Sequence, residues 1–268
     1  MDRLDRLRDA IAEKQRVLVL FSGGLDSTVL AQVAQDVLGD DSCALTFTST
    51  IIPRHELVDA RDIAARIGIR HVVMEMNELD DPVFASNPPD RCYRCRKMRD
   101  ARAIGWARDN GFPVVADGLN ASDLADYRPG MQAAREDGIW QPFTELDIIK
   151  DEIRAMAREM GLPLWDRPNT VCLSSRIPYG DTITQEMLQR VDRAEEYLRG
   201  LGFRQVRVRH FPRGIAVVEV EAPDRVLGHG DEIVGRLREL GFALVALDLE
   251  GFESGKMNRL LDRELVQS

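Results

Sequence analysis

The segment Ser22-Gly23-Gly24-Leu25-Asp26-Ser27 combines two glycines, two hydroxyls and a carboxylate within six positions. Those residue types suit an anion. Glycines let backbone N–H groups come close, and a following helix adds the positive end of its dipole. Ser22 and Ser27 can donate O–H hydrogen bonds, and Asp26 can help hold a magnesium ion. The chain has neither a Gly-Lys-Ser/Thr phosphate loop nor a G-x-G-x-x-G fingerprint. The competing reading is an ordinary strand-to-helix turn.

Cys92 and Cys95 form a Cys-x-x-Cys pair inside Asp90-Arg91-Cys92-Tyr93-Arg94-Cys95-Arg96-Lys97. Neighbouring cations and a helix N-terminus both favour thiolates, so these sulfurs are expected to be reactive or metal-bound. Cys172 lies in a loop-like stretch, Asn169 to Arg176, that could reach the same cleft. Three thiolates can hold a 4Fe–4S cluster and leave one iron open to a further sulfide. Zinc and a redox disulfide compete with that reading, although structural zinc wants four protein ligands. Alternatively, the basic run is a solvated helix face. Cys43 falls in an apolar strand and reads as a small core residue.

Alternating strands and helices must position these groups. Val17–Phe21 is an unbroken apolar run that reads as a buried parallel strand ending at the glycine turn. Leu30, Val33 and Val37 then recur at helical spacing between Asp26 and Leu38. Strands at Cys43–Phe47 and His71–Met74 flank a helix from Glu56 to Ile67. A helix from Arg91 to Asn110, with Asp90 as its N-cap, precedes a strand at Val114–Ala116 and a helix from Lys150 to Met160. This pattern predicts an α/β fold, a doubly wound parallel sheet with helices on both faces. Asp166 to Gly180 lacks periodicity and reads as a functional loop or linker. Beyond it, a helix at Gln185–Arg199, strands at Val206–Arg209 and Ile215–Val220, a helix at Ile233–Leu240 and a strand at Ala243–Leu247 predict a smaller α/β domain. The expected division is 1–168 and 169–268.

With 268 residues, 44% of them hydrophobic, the chain can bury one good core and a second small one. It contains no run of the roughly 18 to 20 apolar residues that a membrane helix needs. The start, MDRLDRLRDAIAEKQR, is charged throughout, which predicts an unprocessed cytoplasmic protein with no membrane partner. Four cysteines are too few for a disulfide scaffold. A formal net charge of -9 argues against nucleic acid and for a small substrate.

The Ser22–Ser27 pattern resembles the SGGxDS signature of the PP-loop ATP pyrophosphatases, which split ATP between the α and β phosphates and leave an adenylylated oxygen. Displacement by nitrogen or sulfur follows. Together with Arg91 to Cys95, Asp117 to Asp123, Tyr127 to Gly130, Cys172 to Gly180 and Asp248 to Gly255, the chain resembles the LarE family over nearly its whole length. That family comprises ATP-dependent sulfur transferases of nickel-pincer nucleotide biosynthesis. The resemblance implies that the carboxylates of pyridinium-3,5-biscarboxylic acid mononucleotide are adenylylated and become thiocarboxylates, with ATP and Mg2+ required. In one branch a cysteine matching Cys172 gives up its own sulfur. In another, cysteines matching Cys92, Cys95 and Cys172 carry a 4Fe–4S cluster supplied by an external sulfur donor, and the presence of all three points to that branch. The resemblance also assigns Thr48, Gly118, Asp123, Arg128 and Arg176 to the nucleotide and substrate site, and implies a homo-oligomer, up to a hexamer. Arg207 and Arg209 resemble the family's basic pair for the substrate phosphate, a role suited to guanidinium forks. Alternating along a strand, they would share one face, and a solvent-facing edge is the alternative. Glu195 and Glu219 resemble acidic residues near the reacting carboxylate or its magnesium, against the alternative of surface glutamates.

Three rivals remain: a PP-loop tRNA thiolase, an amide-forming ligase that leaves the cysteines unexplained, and a non-catalytic iron–sulfur or nucleotide-binding protein. A tRNA enzyme should carry a large basic surface and bind in a salt-sensitive way.

Overall fold

A computed structural model describes residues 2–125, 129–164 and 171–260. In chain order the helices are α1 (Arg3–Lys14), α2 (Leu25–Leu38), α3 (Arg54–Ile67), α4 (Pro82–Ala85), α5 (Arg91–Asp109) and α6 (Pro129–Glu136). They continue as α7 (Pro142–Glu145), α8 (Lys150–Glu159), α9 (Gln185–Gly200), α10 (Pro223–Leu227) and α11 (Gly230–Glu239). The strands are β1 (Val17–Leu20), β2 (Ser42–Thr48), β3 (Arg70–Glu75), β4 (Val114–Ala116), β5 (Val206–Phe211), β6 (Ile215–Val220) and β7 (Leu244–Leu247). None of the described helices is long and apolar enough to cross a membrane.

The chain gathers into two units. The first comprises Met1–Ser49, Arg54–Met76 and Cys92–Thr170, and the second Thr50–Pro53, Asn77–Arg91 and Val171–Ser268. The first unit is built on a four-stranded parallel sheet in the order β3-β2-β1-β4. Its central strand is apolar throughout because both faces are covered: Val17, Leu18 and Val19 have no exposed surface. On α1, Leu4, Leu7 and Ile11 recur at helical spacing and are buried, and they join Val29, Leu30 and Val33 of α2 in one core with Ile153 and Met156 of α8. Each such side chain contributes about 1.5–3 kcal/mol by leaving water. Because β1 leads to β2 on one side and the chain returns from β3 to β4 on the other, the strand order reverses at β1, which opens a crevice at its carboxyl end where ligands bind in such sheets.

The second unit holds a three-stranded mixed sheet, β5-β6-β7, with β5 antiparallel and β7 parallel to β6. Val206, Val208, Val218 and Val220 are buried, as are Leu188, Val191, Ala194 and Leu198 along α9, at the spacing of one helical face. Thr184 caps α9 by accepting the Met187 N–H at 3.2 Å. Cys172 precedes a single tight turn, Leu173–Arg176, inside the stretch read from sequence as a functional loop. Residues 165–170 of that stretch lie outside the described residues.

Candidate functional site

The hydroxyl-rich loop leaves the carboxyl end of β1, the middle of the sheet, and runs directly into α2. Its serines hold it in shape. Ser22 N–H donates to Ser27 Oγ at 3.2 Å, Gly24 N–H donates to Ser22 Oγ at 3.2 Å, and Ser27 O–H donates to the Gly24 carbonyl at 3.2 Å. Gly23 has φ +70, and a Cβ there would stand 2.9 Å from Ala60 Cα, so α3 closes one side of the loop at glycine distance. The other side is closed by Gly118, two residues beyond β4, where a Cβ would stand 2.9 Å from both the Asp26 carbonyl carbon and the Ser27 nitrogen. Two elements therefore grip the loop backbone, and the gripping points cannot carry side chains.

Asp26, in the first turn of α2, accepts from Lys150 Nζ through both oxygens, at 2.7 and 2.8 Å. Lys150 opens α8, whose start is fixed where Glu152 accepts the Ile149 N–H at 2.9 Å. Asn120 Nδ2 donates to Asp123 Oδ2 at 2.8 Å and reaches Asp26 Oδ2 at 3.5 Å. Asp26 and Asp123 thus flank one amide at the edge of the loop. Magnesium is commonly held by one or two carboxylates together with phosphate oxygens, so this donor set fits the ion. In the sequence Lys150 marks only the start of a helix, and Asn120 only a position in the Asp117–Asp123 stretch; neither lies in the glycine motif. Thr48 ends β2, beside β1, and its carbonyl accepts the Met76 N–H at 3.0 Å. Arg128 lies outside the described residues.

Cys92 and Cys95 sit three residues apart in the first turn and a half of α5, hence on one side of the helix. Cys92 is exposed and Cys95 half-buried. A helix that feeds β4 begins at the same carboxyl edge of the sheet as the loop. Arg96 locks the two together: Nη2 donates to Asp117 Oδ2 at 2.6 Å and Nε to Asp100 at 2.7 Å, and the residue after Asp117 is the Gly118 that rests on Asp26. Two of the basic residues around the cysteines have carboxylate partners. Arg96 is paired with Asp100 and Asp117, and Lys97 with Glu136 and Asp137. Tyr93 O–H donates to Glu136 at 2.6 Å, so α6 is bolted to α5. These hydrogen bonds pull the Glu136 carboxyl down to about 2.

In the second unit, Arg91 is buried against Tyr179, its Cζ 4.3 Å from the ring centre, and donates to Asn87. Asn87 Nδ2 in turn donates to the Pro178 carbonyl at 2.6 Å. Cys172, half-buried, has its backbone held on several sides. Its carbonyl accepts from Ser175 Oγ at 2.9 Å and Arg176 Nη1 at 3.1 Å, and the next N–H, of Leu173, donates to the Ile51 carbonyl at 2.7 Å. Thiol donors suit an iron–sulfur cluster better than the oxygen-preferring cations. Among the described residues, no group of three or more histidine, cysteine, aspartate or glutamate side chains stands at metal-binding separation.

Arg176 begins a buried charge cluster. Its fork meets Glu195 at 2.7 and 3.0 Å, and Arg209 meets Glu219 with two contacts of 2.8 Å. Glu195 also accepts the Val208 N–H at 3.0 Å. Both glutamates are counter-ions of these arginines, and with 0% and 2% exposure they are not the surface residues that were the alternative to a place beside the reacting carboxylate or magnesium. A strand partner and a helix turn supply their arginines, a pairing that sequence spacing does not reveal. Arg207 shares the face of Arg209 on β5, opposite Glu219 in register. Its guanidinium lies 4.5 Å over the Phe252 ring and donates to the Glu253 carbonyl at 3.2 Å. No carboxylate pairs with it among the described residues. Burial, followed by the charges of Arg176 and Arg209, pushes its pKa down to about 10. Arg176 and Arg209 each face a carboxylate, half-buried Arg199 also reaches Glu195 at 3.5 Å, and Arg207 pairs with none of those described, so the cluster carries an excess of positive charge that an anionic ligand would neutralise.

Burial alone would raise the Glu195 carboxyl, but the Arg176 charge and the hydrogen bonds from Arg176 and Val208 outweigh it and hold it below 4.5. The pair's stabilisation is therefore complete above that unfolded-chain value and fades as pH falls through the lower folded one. Glu195→Gln removes one partner of a buried pair and should cost about 3–5 kcal/mol in urea unfolding at neutral pH. The loss should shrink towards acid pH, and a pH-independent loss would assign the effect to packing.

A family model described as asparagine synthase matches residues 4–83, the stretch that carries β1, the loop and α2. An uncharacterised protein of Synechocystis is 45% identical over 97% of this chain and 98% of its own length. The pyridinium-3,5-bisthiocarboxylic acid mononucleotide synthase of Lactiplantibacillus plantarum is 39% identical over 95% of this chain and 93% of its own. A tRNA-specific 2-thiouridylase of Azorhizobium caulinodans is 31% identical over 62% of this chain and 52% of its own. The near end-to-end match to the mononucleotide synthase, with the loop geometry that the glycines require, shows that the chain belongs to the LarE family of PP-loop ATP-dependent enzymes.

Proposed function

We propose that the chain is a cytoplasmic ATP-dependent sulfur transferase. It adenylylates the carboxylates of pyridinium-3,5-biscarboxylic acid mononucleotide, converts them to thiocarboxylates, and works as a homo-oligomer fed by an external sulfur donor. The observation that carries this reading is the Arg96–Asp117–Gly118 link, which ties the cysteine-bearing start of α5 to the backbone of the phosphate loop within one unit.

In the first step a substrate carboxylate oxygen attacks the α phosphorus of ATP and pyrophosphate leaves. The N-terminus of α2 and Lys150, beside Asp26, meet the negative charge that builds on the departing group. Asp26 and Asp123 would hold the magnesium ion. In the second step sulfur attacks the activated carbon and AMP departs with the original oxygen, so no oxidant is needed. Arg207, with Arg209 and Arg176, receives the substrate phosphate. Cys92, Cys95 and Cys172 would hold the 4Fe–4S cluster, which requires the three thiols to close to metal-binding separation and, when bound, supplies an iron without a protein thiolate at which sulfur can be presented.

Pyrophosphate release should require both ATP and the pyridinium dicarboxylate. Anaerobically prepared protein should be brown, hold about four irons per chain, and lose its colour in Cys92→Ala. Colourless, active protein whose Cys172 loses one sulfur per turnover would replace the cluster with the sacrificial route. The 2-thiouridylase matches favour tRNA as a second reading, but they span only about half of those enzymes. Salt-sensitive tRNA binding that persists at moderate salt, with tRNA-dependent pyrophosphate release, would establish it.

A further inference from the structure

The segment after β7 folds back along β6 and ends beside Arg207. Asp248 N–H donates to the Val218 carbonyl and Phe252 N–H to the Val220 carbonyl, both at 2.9 Å, so two points of the segment are stitched to the strand. Lys256 closes it into a ring: its ammonium donates to Asp248 Oδ2 at 2.8 Å and to the Gly251 carbonyl at 2.7 Å. Lys256 keeps only 11% side-chain exposure and Asp248 18%, so this is a half-buried lock rather than a solvated surface pair. Both groups that this segment offers Arg207 are uncharged, the Phe252 ring face and the Glu253 carbonyl. Arg176 and Arg209, by contrast, are each neutralised by a carboxylate fork. The cluster therefore contains one guanidinium that is oriented without being discharged. A ring face and one carbonyl hold its plane and leave other N–H groups of the fork to a ligand.

We propose that Asp248–Lys256 is a clasp whose Phe252 and Lys256 are positioning residues, holding the Arg207 guanidinium ready for the phosphate of the substrate. The proposal rests on the reading of Arg207 given under Proposed function. Phe252 supplies the plate on which the guanidinium lies, and Lys256 keeps the ring of the segment closed so that the plate stays in place.

The test compares the full-length chain's affinity for the pyridinium dicarboxylate mononucleotide with that for the same nucleoside lacking its phosphate. Wild type should prefer the phosphorylated ligand by at least about ten-fold, the worth of one charge-assisted hydrogen bond. Phe252→Leu and Lys256→Met should lose most of that preference and bind the nucleoside as wild type does, while Phe252→Tyr, which keeps the plate, should retain it. Full preference in Phe252→Leu would overturn the clasp. Equal weakening of both ligands would also overturn it, by showing a general structural role. Absence of any preference in wild type would overturn the Arg207 reading itself.

Discussion

Cys172→Ser is expected to leave ATP-dependent pyrophosphate release close to wild type and to abolish thiocarboxylate formation. The two effects separate because the backbone at Cys172 is fixed by its neighbours. Arg176, Ser175 and the Leu173–Ile51 hydrogen bond hold the main chain, and the thiol itself is only half-buried. A serine there changes one atom, and a change of this kind outside a core shifts stability by only about 0.5 kcal/mol. What disappears is the soft nucleophilic sulfur, for which an unactivated hydroxyl is no substitute at neutral pH. Loss of pyrophosphate release together with sulfur transfer would show that Cys172 acts in the adenylylating step, contrary to this account. Iron content measured on the same variant separates the two sulfur routes.

Gly118→Ala is expected to have the opposite profile, stopping the reaction before pyrophosphate leaves. A methyl group at that position stands 2.9 Å from the Asp26 carbonyl carbon and the Ser27 nitrogen, both main-chain atoms that cannot rotate aside. The loop must move, and with it Asp26 and the start of α2. Displacement of a reacting group by about 1 Å is enough to cost on the order of a hundred-fold, whereas overpacking of this kind costs about 1–3 kcal/mol of stability. The variant should therefore fold, melt at a modestly lower temperature and release pyrophosphate at least about a hundred-fold more slowly. Near-normal release would mean that Gly118 does not set the shape of the nucleotide loop.

The parallel sheet was legible because β1 is apolar at every position and Gly23 and Gly24 follow shortly after it, a local pattern that needs no knowledge of partners. The loop residues Ser22 to Ser27 were legible for the same reason. Lys150, which grips Asp26 from 124 positions away, was not, and neither was the Arg96–Asp117 tie. An ion pair between distant segments leaves no periodic trace in a sequence. Glu195 and Glu219 were marked only by their resemblance to acidic residues near the reacting carboxylate, with surface glutamates as the alternative, whereas folding buries both and pairs each with a buried arginine. A linear reading likewise gave residues 50–53 and 77–91 no special place, although they pack with the C-terminal unit, because Asn87 and Ile51 bond to the loop around Cys172 and Pro178.

The most direct test of carboxylate activation follows the oxygen. With a heavy-oxygen label in the substrate carboxylates and unlabelled ATP, the account predicts that one labelled oxygen per turnover appears in AMP and that the product carries sulfur in its place. Label that stays with the substrate, or ATP cleaved to ADP and phosphate, would contradict it.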